Sequence, residues 1–318
     1  MMNIQKNSRR MNTWMIVITT CMACLSAFFS CTYGMTDEDW TKNGKVRLTL
    51  DWQGVHPPSR MVYYFYREGV ACPVIRRAGS KGFEGTLPSG TYRVMVCNPG
   101  SRNILLETEN GYEMANGMIK HVSVLKSSPS YLTCPNHLQG CGSDPLVVRG
   151  EEPATATLYP AGLVRTLELH IQITKGGREK VALSGLSGCL GGVSPGVCIP
   201  SGAALSGTPA FMAFEPECMD EGRYRALLTL FGLTDPATDG AESIASCLYL
   251  TLKGEGEKEL TTSVGIPREV GEMFRRKKSS RVILDLVVAY DEVNGPSVSL
   301  EDWKEGTGSA GQDNGEIG

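Results

Sequence analysis

The stretch Leu163-Val-Arg-Thr-Leu167-Glu-Leu-His170-Ile-Gln-Ile173 decides the fold class. Leu167, Leu169, Ile171 and Ile173 alternate with Glu168, His170 and Gln172, a period of two that suits a strand with one face in a core and the other in water. A helix would scatter those four apolar side chains around its circumference. The same rhythm recurs upstream, where Val46, Leu48, Leu50 and Trp52 alternate with Arg47, Thr49 and Asp51. Met61 to Tyr66 is a second, aromatic-rich strand. Leu87-Pro-Ser-Gly90 sets a tight turn into a strand on which Tyr92, Val94 and Val96 share a face, and Ile119 to Leu125 alternates again. Downstream, Tyr224 to Phe231, Leu248 to Leu252, Leu260 to Val264 and Val282 to Tyr290 read the same way. Only Pro267 to Arg276 reads as a helix, with Pro267 suited to its first turn. Short strands without regular helices between them predict an all-β chain of antiparallel sandwiches rather than βαβ units. Residues 127–153 are expected to form a long irregular connection. The Gly-rich, acidic chain after Asn294 is expected to be loose, with one short strand around Val298, Leu300 and Trp303.

The 318 residues allow one large domain or two ordinary ones. At 41% hydrophobic and 20% charged, with 37 glycines and 17 prolines, the composition is that of a folded protein, neither disordered nor collagen-like. Net charge is −3, and without residues 1–30, which carry Lys6, Arg9 and Arg10, 28 basic residues face 34 acidic ones, giving −6. A weakly acidic body is no default partner for nucleic acid. Four histidines leave little material for a His-built active site or metal cage, and the composition points away from an enzyme.

The first thirty residues read as an export signal. Lys6, Arg9 and Arg10 form a basic start, Trp14 to Phe29 carries no charge, and Ser30 then precedes Cys31. This layout resembles a bacterial lipoprotein signal, in which cleavage leaves the cysteine first in the mature chain, acylated on sulfur and nitrogen. Phe28 and Phe29 stand where leucine and a small residue are usual, and Cys24 after Ala23 is the weaker alternative acceptor. A retained transmembrane helix is the competing reading, because the uncharged run from Met11 to Thr36 matches a hydrocarbon core of about 30 Å. Thr19, Thr20, Ser26, three cysteines and the lack of a basic flank after the run count against it. One acyl chain binds a membrane only marginally, so stable anchoring requires several. Asp37, Glu38 and Asp39 resemble the surface-export signal of Bacteroidetes lipoproteins, or else form a solvated linker.

No motif in the sequence completes a catalytic constellation. Gly192-Val-Ser194-Pro-Gly196 fits the nucleophile-elbow pattern, but the oxyanion hole needs the N–H of the residue after serine, and Pro195 has none. Cys134, His137 and Cys141 would supply three zinc ligands and lack a fourth. Gly254-Glu-Gly256 lacks the third glycine of a dinucleotide loop, and Arg275, Arg276, Lys277 and Lys278 read as a solvated basic run. Eight cysteines remain in the body, an even number that permits four disulfides outside the cytosol. Cys189 with Cys198, flanking a Gly-rich loop, is the first candidate pair and Cys134 with Cys141 the second; buried free thiols are the alternative. No cofactor and no metal is expected.

Several stretches together resemble one family, the fimbrillin-associated anchor proteins of Bacteroidetes type V pili with their related Bacteroidales lipoproteins. They are Val46-Arg-Leu-Thr-Leu-Asp51-Trp52, Met61-Val-Tyr-Tyr-Phe-Tyr66, Leu87-Pro-Ser-Gly90-Thr-Tyr92 through Asn98, Leu169-His-Ile-Gln-Ile173, Ala182-Leu-Ser-Gly185 through Gly188, and Asp302-Trp303. The resemblance implies two tandem sandwiches of transthyretin-like, Greek-key type, lipidated on Cys31 and held at the outer membrane, facing outward. The expected layout is a signal at 1–30, a linker at 31–44, sandwiches at 45–150 and 151–292, and a loose tail at 293–318. The implied function is non-enzymatic: an anchor or accessory subunit of a pilus, bound to the outer membrane through acyl chains on Cys31 and to pilin subunits by strand exchange. A surface glycan-binding lipoprotein for nutrient uptake is the alternative, with Tyr63, Tyr64 and Tyr66 as its aromatic platform. Those tyrosines equally suit a packed sheet face.

Overall fold

Strand Arg165–Lys175 forms where the alternation predicts it, and its dry face organises the larger core. Leu167, Leu169, Ile171 and Ile173 are fully buried. The strand pairs antiparallel with Arg223–Leu230 and parallel with Arg281–Asp291, which in turn pairs with the edge strand Gly295–Glu305. A second sheet runs in the order Glu259–Gly265, Cys247–Lys253, Gly185–Val193, Ala210–Phe214, Tyr131–Leu132, His121–Val122. Leu186, Leu190, Met212, Leu248, Leu250 and Leu252 from this sheet join the first sheet's apolar face in one hydrophobic cluster. Helix Arg268–Arg275 adds Val270 and Phe274, each contributing about 1.5–3 kcal/mol by burial. The computed structural model describes residues 43–100, 103–122, 131–150, 152–175, 179–180, 183–206, 210–234, 246–254, 259–275, 280–291 and 295–306. From Gly44 onward they belong to one compact unit, Gly44–Gly318.

The N-terminal block repeats the design with its own core. Asn43–Leu50 lies between Ala154–Leu158 and Gly82–Pro88. Its Val46, Leu48 and Leu50 pack with Met61, Tyr63 and Phe65 of Met61–Arg67 and with Tyr92, Val94 and Val96 of Gly90–Cys97. Met61–Arg67 is buried on both faces, because Val62, Tyr64 and Tyr66 turn the other way into the larger cluster. That explains its unbroken apolar run, since a strand covered on two sides has no polar half.

The all-β sandwich architecture stands, with several departures in detail. Among the described residues three pairings run parallel: Val46↔Ala154 to Leu50↔Leu158, Thr166↔Arg281 to Lys175↔Tyr290, and the short contact Phe211↔Tyr131. Sequence patterning sees each strand's faces but not its partner. The stretch expected to be an irregular connection holds Tyr131–Leu132, Gln139–Gly142 and Leu146–Val148, and the last two both add to Gly90–Cys97. Prolines there keep the strands short without preventing their pairing. The chain expected to be loose after Asn294 forms the strand Gly295–Glu305, because Val298, Leu300 and Trp303 pack against the larger cluster. A register shift between Asp285 and Leu286 accommodates it. The stretch between Cys189 and Cys198, expected to be a Gly-rich loop, continues the strand Gly185–Val193 and then enters Gly196–Cys198; Gly192, with φ +76°, sits where a Cβ would meet the Ser246 backbone at 2.8 Å. Strands also cross the expected division at residue 150: Ala154–Leu158 completes a sheet of the first block, and Gly196–Cys198 pairs with Asn116–Ile119.

Candidate functional site

Cys31 and the whole signal lie outside the described residues. The four cysteines singled out for pairing are not joined in disulfides. Cys189 sits in Gly185–Val193 and Cys198 in Gly196–Cys198, which belong to different sheets. Cys134 packs on the larger core with its Sγ 3.8 Å from the Met212 Sδ, whereas Cys141 packs on the smaller core. Tyr63, Tyr64 and Tyr66 are at most 7% exposed, so they pack cores and offer no platform to a glycan. Burial pushes the phenols of all three upward, that of Tyr64 to about 12, and the Tyr66 hydroxyl donates to the Thr108 carbonyl at 2.9 Å. Ser194 is fully buried with its Oγ 2.8 Å and 3.0 Å from the carbonyl oxygens of Gly196 and Leu205, which ties down a turn. Arg276, Lys277 and Lys278 lie outside the described residues.

A different constellation stands out on the wet face of strand Arg165–Lys175. The register places His170 between Arg225 and Asp285, and Gln172 between Arg223 and Val287. Glu168 lies two positions along the same face, diagonal to Arg225, and Arg281 reaches it from the start of the parallel neighbour. Its carboxylate accepts from Arg225 Nε at 2.7 Å, from Arg281 Nε at 2.7 Å and from a second Arg281 nitrogen. His170 Nε2 lies 3.0 Å from Glu168, and its Nδ1 lies 2.8 Å from Asp285, which also takes Lys304 Nζ at 3.1 Å. Glu168 is only 3% exposed although it sits on the solvent side, because these partners cover it. Burial raises the pKa of this carboxyl, but hydrogen bonds from His170, Arg281 and Arg225 outweigh burial and hold it below its ordinary value.

Over this floor opens a hollow of about 740 Å³, walled by Met219 and Asp220 on one side and Glu301 on the other. Asp220 pairs with Arg223 at the rim. Four carboxylates, Glu168, Asp220, Asp285 and Glu301, line the hollow with two cations, Arg223 and Arg225; Arg281 and Lys304, outside the lining, pair with Glu168 and Asp285. Among the described residues that line the hollow there is no serine, threonine or cysteine. What the arrangement supplies is a fixed pattern of hydrogen-bond donors and acceptors. Along the sequence its members lie 57 and 113 residues apart, so the only visible trace of it was the polar half of one alternating strand.

Comparison with known proteins places the chain. It belongs to the family described as Domain of unknown function (DUF5119), which matches residues 31–215. No curated protein sequence matches it. Among solved structures, a candidate adhesin from Bacteroides ovatus shares 20% identity at a TM-score of 0.56, covering 72% of this chain and 84% of that one. The fimbrial anchor protein Mfa2 from Porphyromonas gingivalis shares 10% identity at 0.52, covering 77% and 90%. A candidate polysaccharide-binding protein (DUF1812) from Bacteroides thetaiotaomicron shares 9% at 0.54, covering 82% and 98%. The fold is therefore the one these fimbrial and adhesin-like proteins share, as the resemblance in the strand and turn motifs implied.

Proposed function

We propose that this chain is a non-enzymatic surface protein, lipid-anchored through Cys31 at the outer membrane, that serves as an anchor or accessory subunit of a type V pilus. The observation that carries the reading is the fold shared with the fimbrial anchor protein over 90% of that protein's length. A lipoprotein-like signal ahead of the body supports it, as does an open sheet edge. Among the described residues Val74–Ala78 pairs only with Met61–Arg67, which leaves backbone N–H and C=O groups on its other side for a pilin strand. Deleting the gene and imaging the cell surface tests the reading: fibres should lengthen or be shed. Unchanged fibre number, length and retention would sink it.

Glycan binding at the surface is the second reading, favoured by the kinship in fold with the polysaccharide-binding candidate and by the charge-lined hollow. It does not use Tyr63, Tyr64 and Tyr66, which are core residues.

A further inference from the structure

A solvent-facing sheet surface has no need of buried ions, since threonines or isolated lysines serve there and keep their hydration. Here Glu168 is sunk beneath two arginines and a histidine. Such a network gains little net stability over apolar side chains of similar volume, so stability alone does not account for it. Clusters of this kind, set in a hollow, mark functional sites. At about 740 Å³ the hollow falls within the usual range of small-molecule sites, roughly 300–1,000 Å³.

We propose that this hollow binds a neutral oligosaccharide. Its four carboxylates are offset by Arg223 and Arg225 in the lining and by Arg281 and Lys304 paired to Glu168 and Asp285 from outside it, which leaves little net field to draw a charged ligand. Its guanidinium donors are held by carboxylate acceptors, Arg223 by Asp220 and Arg225 by Glu168, and Gln172 adds an amide beside them. That pattern matches the hydroxyls of a sugar ring, each of which both donates and accepts. Met219, 56% exposed on the wall, and Val287 on the floor supply apolar surface for a ring's C–H face. A peptide strand would need an unpaired edge. The floor is instead built on Arg165–Lys175, which is hydrogen-bonded on both sides.

The inference extends the second reading and is separable from pilus attachment. The full-length protein, purified in detergent, is titrated calorimetrically with maltoheptaose, mannohexaose, xylohexaose and galactohexaose. A hyaluronan hexasaccharide is the anionic comparison. We expect saturable binding of at least one neutral sugar, weakened about tenfold by Arg223→Ala and by Gln172→Ala with thermal unfolding unchanged. Both side chains are exposed to solvent and belong to neither core. Met219→Asp on the exposed wall is a further variant that spares the ion pairs and should weaken binding comparably. Absence of binding to all four neutral sugars, preference for the anionic one, or binding indifferent to the three substitutions overturns the proposal. Fibre retention in cells carrying Arg223→Ala reports separately on the pilus: it stays at the wild-type level if the hollow serves only the sugar.

Discussion

Replacing Glu168 by glutamine keeps the side chain's shape and removes its charge from among its donors. In the native protein its two oxygens face Arg225 Nε at 2.7 Å, Arg281 Nε at 2.7 Å, a second Arg281 nitrogen and His170 Nε2 at 3.0 Å. Glutamine offers one acceptor oxygen and sets an NH₂ group against a guanidinium. Breaking a buried ion pair by removing one partner costs about 3–5 kcal/mol. The Arg225 and Arg281 side chains keep 34% and 23% exposure and regain part of their hydration, so the expected loss is smaller. We expect about 2–3 kcal/mol at pH 7. At roughly 2–4 °C per kcal/mol for a body of this size, Tm should fall by about 4–12 °C. Acid supplies a second check. A carboxyl held below its unfolded pKa stabilises the fold above that unfolded value, and the contribution is lost as pH falls through the native value. The gap between wild type and Glu168→Gln should therefore be full at pH 7 and close below about pH 4. Urea unfolding followed by circular dichroism at pH 7 and pH 3 measures both. A gap under about 1 kcal/mol at pH 7, or one just as large at pH 3, would refute the reasoning.

Tyr64→Ala should destabilise the protein by about 3–5 kcal/mol in the same assay, as expected of a core residue 7% exposed; a neutral effect would return Tyr64 to the surface. Tyr66→Phe removes only the hydroxyl that bonds the Thr108 carbonyl and should cost about 1 kcal/mol. A chain ending at Asp291 lacks the edge strand Gly295–Glu305 and bares the long flank of Arg281–Asp291, so it should aggregate or dimerise on size-exclusion chromatography. Cys31→Ala should abolish fatty-acid labelling and outer-membrane retention while leaving the fold unchanged by circular dichroism. If acyl label persists, the acceptor is another cysteine, with Cys24 next to mutate; if the wild type runs unlabelled at full length, the retained-helix reading prevails.

The alternation of Leu167, Leu169, Ile171 and Ile173 with Glu168, His170 and Gln172 settles strand type and which face is dry, because a side-chain period of two is a local property of the chain. The same holds for Val46, Leu48 and Leu50, for the turn at Pro88 to Gly90, and for helix Arg268–Arg275. The proposed export reading of Lys6 to Cys31 likewise rests on local order alone. Strand partnership is not local. That Arg165–Lys175 lies parallel to Arg281–Asp291, and Asn43–Leu50 parallel to Ala154–Leu158, follows from which apolar faces cover one another. Such closure joins residues more than a hundred positions apart. Gly185–Val193 hid among its glycines and Gly295–Glu305 among its polar neighbours, since each is a strand only because a partner pairs with it. Tyr64 showed no choice between platform and core until the larger cluster closed over it. Glu168 shows the division most plainly: its alternation marked it as wet, and two arginines from distant strands made it a buried ion. Periodicity fixes the face a side chain takes, while its surroundings depend on the strands that tertiary packing sets beside it.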